Sequence, residues 1–291
     1  DHLSYSSMSE MIGCPMKWVL HHHAHLRRPD AQELPSTDRM IGLLCHRIVN
    51  ELYRDPGARW SPDAAEQRAR ELYDDLVEAM ASELLLGGAE VERRRYRESI
   101  AFAVRQLVES IVRLGLTVEA SEREILVEVD GLRFKGFVDL ILRTKEGTPF
   151  VLDMKWSRSG TYHRKEVEEG RALQLAAYAW LLREADRQDG SGDAGFAEGA
   201  YYLLRQGEMV GAVSLLGDDV LESPLEPEEI WRRGRRSWEE AFHAVRRGAL
   251  TATGVAERLR REEDGDSDQK FAEKLRDEAA ERGLLYVQPP C

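Results

Sequence analysis

The chain has 291 residues, 42% of them hydrophobic, and a formal charge of −12 from 53 acidic and 41 basic side chains. The apolar content is enough for a sizeable core, and the acidic balance excludes a general nucleic-acid coating protein while leaving room for a local basic channel. No apolar run approaches membrane-spanning length, no signal-peptide region opens the chain, and three cysteines form no secreted framework, so a soluble, cytoplasmic protein is expected.

In chain order, Ser7 and Glu10 have capping-box spacing and predict a helix from about Ser7 to His25, with Met8, Met11 and Ile12 on its buried side. His21, His22, His23 and His25 read as its exposed end, not a metal tract, for want of acid or cysteine partners nearby. Helices are predicted over Met40 to Tyr53, Pro62 to Leu86 and Glu92 to Leu114. Strands follow at Glu124 to Val129 and Leu132 to Leu142, joined by the turn Asp130-Gly131. A third strand around Phe150 to Leu152 lies beyond the breaker-rich Lys145-Glu146-Gly147-Thr148-Pro149. Then come a helix over Glu166 to Ala185, a loop over Gln188 to Gly195, and strands near Gly199 to Leu204 and Met209 to Leu215. Past Pro224, Trp231, Trp238, Phe242 and Val245 mark an amphipathic helix, while Arg258 to Arg282 reads as a weakly apolar helix or a tail. This order suits an α/β fold, a mixed sheet flanked by helices.

The chemistry concentrates on the second and third strands. Asp139 closes Gly136-Phe137-Val138-Asp139, and Asp153 opens Asp153-Met154-Lys155. Aspartate suits a strand poorly, so two such residues among apolar neighbours on paired strands ask for a reason beyond packing. Adjacent carboxylates repel unless a cation neutralises them, and hard oxygens favour magnesium or manganese. Asp153 and Lys155, two apart on a strand, share a face, where the ammonium can sit beside metal-bound water or a developing phosphorane charge. Downstream, Gln174 and Tyr178 lie four apart on one helical face. Upstream, His46 follows Gly42 on an amphipathic helix, and Cys14 precedes Pro15 within the first predicted helix. Three basic groups stand out: Arg93 to Arg97, Arg158 with His163, Arg164 and Lys165, and Arg232 to Arg236. The first and third read as solvated helix faces, the second as a loop directly after the catalytic strand that meets a phosphate backbone.

Gly-x-x-Asp, a hydrophobic strand, Asp-x-Lys and then a helix with Gln-x-x-x-Tyr, in that order, resemble the PD-(D/E)XK nuclease superfamily, most of all its RecB and AddB branch. The resemblance implies a restriction-endonuclease-like core. It further implies Mg²⁺- or Mn²⁺-dependent hydrolysis of DNA, by an exonuclease more than an endonuclease. Asp139 and Asp153 would bind the metal with the Met154 carbonyl and His46, whose Gly42-x-x-x-His46 segment matches one in RecB-like nucleases. Lys155 would orient the attacking water, and Gln174 and Tyr178 would hold the lysine strand or touch the backbone near the cut. Glu122 or Glu124 would add a carboxylate; the sequence does not choose between them.

In AddB-like proteins, a cysteine resembling Cys14 joins three near the C-terminus in a four-iron, four-sulfur cluster. Cys291 resembles the first of those three, Cys45 reads as packing, and the set of ligands for [4Fe-4S] is incomplete. Because the first residue is Asp, the chain is expected to be processed or excised from a longer helicase-nuclease acting in DNA end processing and recombinational repair. A division into a helical region 1–118 carrying Cys14 and His46, a nuclease core 119–220 and a helical extension 221–291 is expected. The rival expectation is a catalytically silent RecB-like module that binds DNA or serves as a structural part of a larger complex. RNA is a further target class, since the chemistry distinguishes sugars only through contacts to the 2′-hydroxyl.

Overall fold

A computed structural model of the chain describes residues 2–26, 37–55, 57–190 and 195–289. At its centre is a sheet ordered β1-β2-β3-β4-β5, with β1 at Thr117–Val129, β2 at Leu132–Arg143, β3 at Pro149–Lys155, β4 at Glu198–Leu203 and β5 at Glu208–Val210. Asp130 and Gly131 take positive φ values of 54° and 71°, the conformation a two-residue hairpin turn needs to match the twist of its strands. Antiparallel pairing continues from β2 to β3, and β4 pairs antiparallel with β5. Between them β3 and β4 run parallel, which requires a crossover, supplied by α6 (Thr161–Glu168) and α7 (Leu173–Gln188). A mixed sheet with helices on its faces and at both ends of the chain is the restriction-endonuclease-like arrangement.

Each face of the sheet buries its own apolar cluster. On one, α3 (Thr37–Leu52), α4 (Pro62–Met80) and α5 (Glu90–Arg113) bring Ile41, Leu44, Ile48, Tyr73 and Leu107 into the same core as Leu140, Leu142, Phe150, Leu152 and Tyr202. On the other, α1 (Tyr5–Gly13), α7 and α8 (Pro227–Arg246) bring Met8, Met11, Trp180, Leu181 and Trp238 against Ile125, Phe134, Val138, Ile141 and Val151. Trp180 and Trp231 stack there at 4.4 Å between ring centroids, fixing α8 across α7.

Several boundaries differ from expectation for local reasons. The first helix starts a turn earlier, because Ser4 and not Ser7 is its cap, accepting from Ser7 N at 3.2 Å. It also breaks at Cys14 (φ −157°), since Pro15 opens a separate short helix, α2 (Pro15–Trp18), continued by a π-turn at Val19–His23. The helix expected from Glu166 is two helices, parted at Gly170 with φ of 63°. The fifth strand is short and gives way to a 3₁₀ turn over Ser214–Asp219. The Arg258 to Arg282 stretch forms α9 (Thr253–Asp264) and α10 (Asp268–Glu281), with left-handed Gly265 closing the first and Ser267 capping the second. Among the described residues no helix is long and apolar enough to cross a membrane. Cys291 and the part of the Gln188 to Gly195 loop at 191–194 lie outside the described residues.

Candidate active site

The two acids meet because of where one ladder ends. Pairing of β2 with β3 runs from Arg143↔Pro149 to Leu140↔Leu152, and the next step in that register sets Asp139 opposite Asp153. At this point the strands separate, and the Asp139 side chain reaches across: its Oδ2 accepts the Met154 backbone N–H at 2.7 Å. Around Asp139 the facing of β2 also changes, Val138 lying in the α7-side core and Leu140 in the α3-side core. Asp139 is thereby turned toward α3, where its Oδ1 stands 3.5 Å from His46 Nδ1.

On β3, Val151 faces α7, and Asp153 and Lys155 continue that face. Lys155 Nζ lies 2.6 Å from Asp153 Oδ2 and donates to Gln174 Oε1 at 3.0 Å. The Gln174 amide nitrogen in turn donates to Asp153 Oδ1 at 2.7 Å and to the Tyr178 hydroxyl at 3.1 Å. Gln174 therefore holds the acid and the lysine at once, and Tyr178, one helical turn on, holds Gln174. Two glycines permit this approach. A side chain at Gly136 would come within 2.5 Å of Leu181 Cδ1 and 3.5 Å of the Tyr178 ring, so its absence lets α7 lie on β2. A side chain at Gly42 would stand 3.1 Å from Trp156 Cβ, which lets α3 deliver His46 one turn further along.

Burial pushes the Asp153 carboxyl up to about 6; Lys155 opposes this and the Asp139 charge adds to it. For His46, burial works against the cation, but the hydrogen bond and charge of Asp139, with Asp153 behind it, outweigh burial and raise its pKa. Both shifts come from gathering two carboxylates in a buried pocket with Lys155 and His46 beside them.

The donor set fits a hard divalent cation. Asp153 Oδ2 is buried and receives no aligned hydrogen bond, even with the ammonium beside it. Among the described residues no three His, Cys, Asp or Glu side chains close into a ready-made cage. Magnesium does not require one, being held commonly by one or two carboxylates with waters and substrate phosphates filling its shell. Glu122 falls opposite Asp139 in the β1-β2 register and accepts from Asn50 Nδ2 at 3.2 Å, whereas Glu124 pairs with Lys135 at 3.0 Å. The three cysteines of this sequence are fewer than the four thiolates a cluster takes, and Cys45 is buried with its thiol pushed up to about 12 by desolvation. Cys14 is buried at the junction of α1 and α2.

A family model for the PD-(D/E)XK nuclease superfamily matches residues 2–283. The chain belongs to this superfamily. Its members are generally nucleases and typically use divalent metals such as Mg²⁺. Comparison with curated proteins finds no match.

For a PD-(D/E)XK protein, the surroundings of these motifs contain residues that local sequence does not mark. Tyr201 on β4 pairs with Asp153 in the parallel register and places its ring 5.8 Å from Lys155 Nζ, visible only once the partner of β3 is known. Asn50, one turn past His46, accepts from Ser121 Oγ at 2.7 Å and ties α3 to β1; its i+4 spacing from His46 was the available signal. The basic group after β3 is not a loop of unpaired charge. Thr161 to Glu168 is α6, Arg158 pairs with Asp38 at 2.6 Å, Arg164 with Glu208 at 2.5 Å, and His163 meets Glu166 at 3.2 Å. The histidine tract does have an acid beside it, since the break at Cys14 brings Glu10 within 3.0 Å of His21 and 3.4 Å of His22.

Proposed function

We propose that this chain is a Mg²⁺-dependent deoxyribonuclease that hydrolyses phosphodiester bonds at Asp139, Asp153 and Lys155. The observation that carries the reading is the buried Asp153 carboxylate, one oxygen of which lacks an aligned hydrogen bond, standing at the split end of the β2-β3 ladder beside Asp139 and Lys155. Asp139 and Asp153 would hold the ion, with His46 and the Met154 carbonyl as further donors. A bound divalent cation lowers the pKa of water and neutralises charge growing on phosphorus. Lys155 aligns the attacking water and stabilises the anionic phosphorus centre through its ammonium. Gln174 bridges Lys155 and Asp153, offering Oε1 to the one and Nε2 to the other, and Tyr178 fixes the Gln174 rotamer. His46 orients Asp139.

Within the superfamily we place the chain in the RecB and AddB branch, on Gly42-x-x-x-His46 and Gln174-x-x-x-Tyr178. Work on DNA ends as an exonuclease in recombinational repair, beside a helicase, is the cellular setting that this placement supports. The test is degradation of end-labelled single-stranded and duplex DNA with Mg²⁺, Mn²⁺ or chelator. Cleavage that needs metal and is abolished in Lys155→Ala is expected, and the labelled products report polarity; metal-independent cleavage, or none in the native protein, would sink the proposal.

A further inference from the structure

Beside the candidate active site, β2 carries an aromatic side chain that the core does not use. Phe137 lies two residues before Asp139 and is 51% exposed, although it sits within a strand whose alternate residues Phe134 and Val138 are buried. The Lys135 ammonium stands 4.9 Å from its ring centroid, covering part of one side and adding positive charge. This half of β2 lies beyond the end of the β3 ladder, so its edge on that side is free of β3. The N-terminal segment takes part of that edge: Leu3 N donates to Arg133 O and Lys135 N donates to Leu3 O, each at 2.8 Å. Between this segment and β2 remains a cleft of about 240 Å³, lined by Ser4, Tyr5, Ser6, Lys135, Phe137 and Tyr178 among others. Tyr178 is shared with the candidate active site, where its hydroxyl accepts from Gln174. Tyr178 thus borders both the cleft and the candidate active site.

We propose that Phe137 is a stacking platform for one base of a single-stranded DNA whose backbone runs on to the Asp139–Asp153 site, which makes it a specificity-determining residue for single strands. This rests on the nuclease reading above. A flat ring offers a π-face to an unstacked base, and a continuous duplex presents no such face because its bases cover one another. The Lys135 ammonium, which also pairs with Glu124 at 3.0 Å, and the Ser6 hydroxyl suit phosphate and sugar, which complements the ring with the other half of a nucleotide.

The experiment measures affinity of the full chain for a labelled oligothymidylate and for a blunt duplex of equal length, with Ca²⁺ replacing Mg²⁺, and cleavage rates with Mg²⁺ in parallel. Phe137→Ala is expected to weaken oligothymidylate binding by about five- to a hundredfold, the range of one lost base-aromatic stack. Duplex affinity and the cleavage rate at saturating oligothymidylate stay unchanged, Phe137→Trp binds as the native chain does, and Phe137→Leu resembles Phe137→Ala. Because the ring is half exposed, melting temperatures of the three variants should match the native value, which separates lost contact from lost fold. Native-like oligothymidylate binding by Phe137→Ala or Phe137→Leu, or an equal loss on single strand and duplex, overturns the proposal. Absence of cleavage in the native chain with Phe137-dependent oligothymidylate binding intact would overturn the nuclease reading and leave the platform standing.

Discussion

Asp153 is held in conflict with its surroundings. Its carboxyl is buried, one oxygen is satisfied by Gln174, and the other faces Lys155 without an aligned hydrogen bond. In the metal-free protein its pKa, pushed up to about 6, exceeds the unfolded value of roughly 3.9. Between those values the folded state keeps a proton that the unfolded state has released, so this group's contribution to stability falls as pH rises and is least favourable above about 6. Asp153→Asn removes that dependence. Denaturant melts in chelator should show the native protein losing on the order of 2–3 kcal/mol relative to Asp153→Asn as pH rises across that window. Parallel curves for the two proteins would contradict the assignment. Gln174 acts on the same group by geometry instead of charge. Removing it in Gln174→Ala leaves Asp153 Oδ1 and the Lys155 ammonium each short of a partner, and a 10- to 100-fold loss of activity or metal affinity is expected, as for other outer partners of metal ligands. An unchanged Mg²⁺ titration of activity would argue that Gln174 is surface decoration.

At the scale of elements, the site depends on two helices lying close to the sheet, and each close approach is made at a glycine. Gly136→Ala should force Leu181 and Tyr178 away from β2, lowering stability by about 1–3 kcal/mol as overpacking does, and should also reduce turnover because Tyr178 carries Gln174. A variant with native stability and native turnover would show that α7 adjusts freely. Much of this layer was legible in the sequence. Asp-x-Lys on a strand and Gln-x-x-x-Tyr on a helix have periods of two and 3.6, so each pair is sent to one face by local geometry alone. Other features were not legible because they arise between elements. The break at Cys14 brings Glu10 to the histidines, although Glu10 reads in sequence only as a capping residue. Gly170 divides a stretch whose hydrophobic pattern looks continuous, so that His163, Arg164 and Lys165 lie on a separate helix, where His163 meets Glu166 and Arg164 pairs with the distant Glu208. Tyr201 becomes part of the site only through parallel pairing, which no local pattern announces.

For the whole molecule, the formal charge of −12 and the anionic pocket are compatible with a polyanionic substrate only if cations act at short range. Lys155 and Lys135 stand beside the site, paired with Asp153 and Glu124, while Arg97, Arg164 and Arg233 are engaged with carboxylates further away along the chain. The fold supplies the rest by dividing its labour: one apolar core under α3 to α5 carries His46, the other under α1, α7 and α8 carries Gln174 and Tyr178, and the sheet between them carries the acids and Lys155. Order of elements and composition sufficed to foresee a mixed sheet between helical layers. Which helix covers which face depends on side-chain packing between distant segments, such as Trp180 on Trp231, and was not readable. The most direct measurement is made on one variant, Asp153→Asn, by following DNA affinity with Ca²⁺ and DNA cleavage with Mg²⁺ in the same preparation. Retained affinity with cleavage abolished is the expected result. Cleavage at the native rate would contradict a site built on Asp153, and binding without cleavage in both proteins would make this a DNA-binding module that has kept the residues of an enzyme.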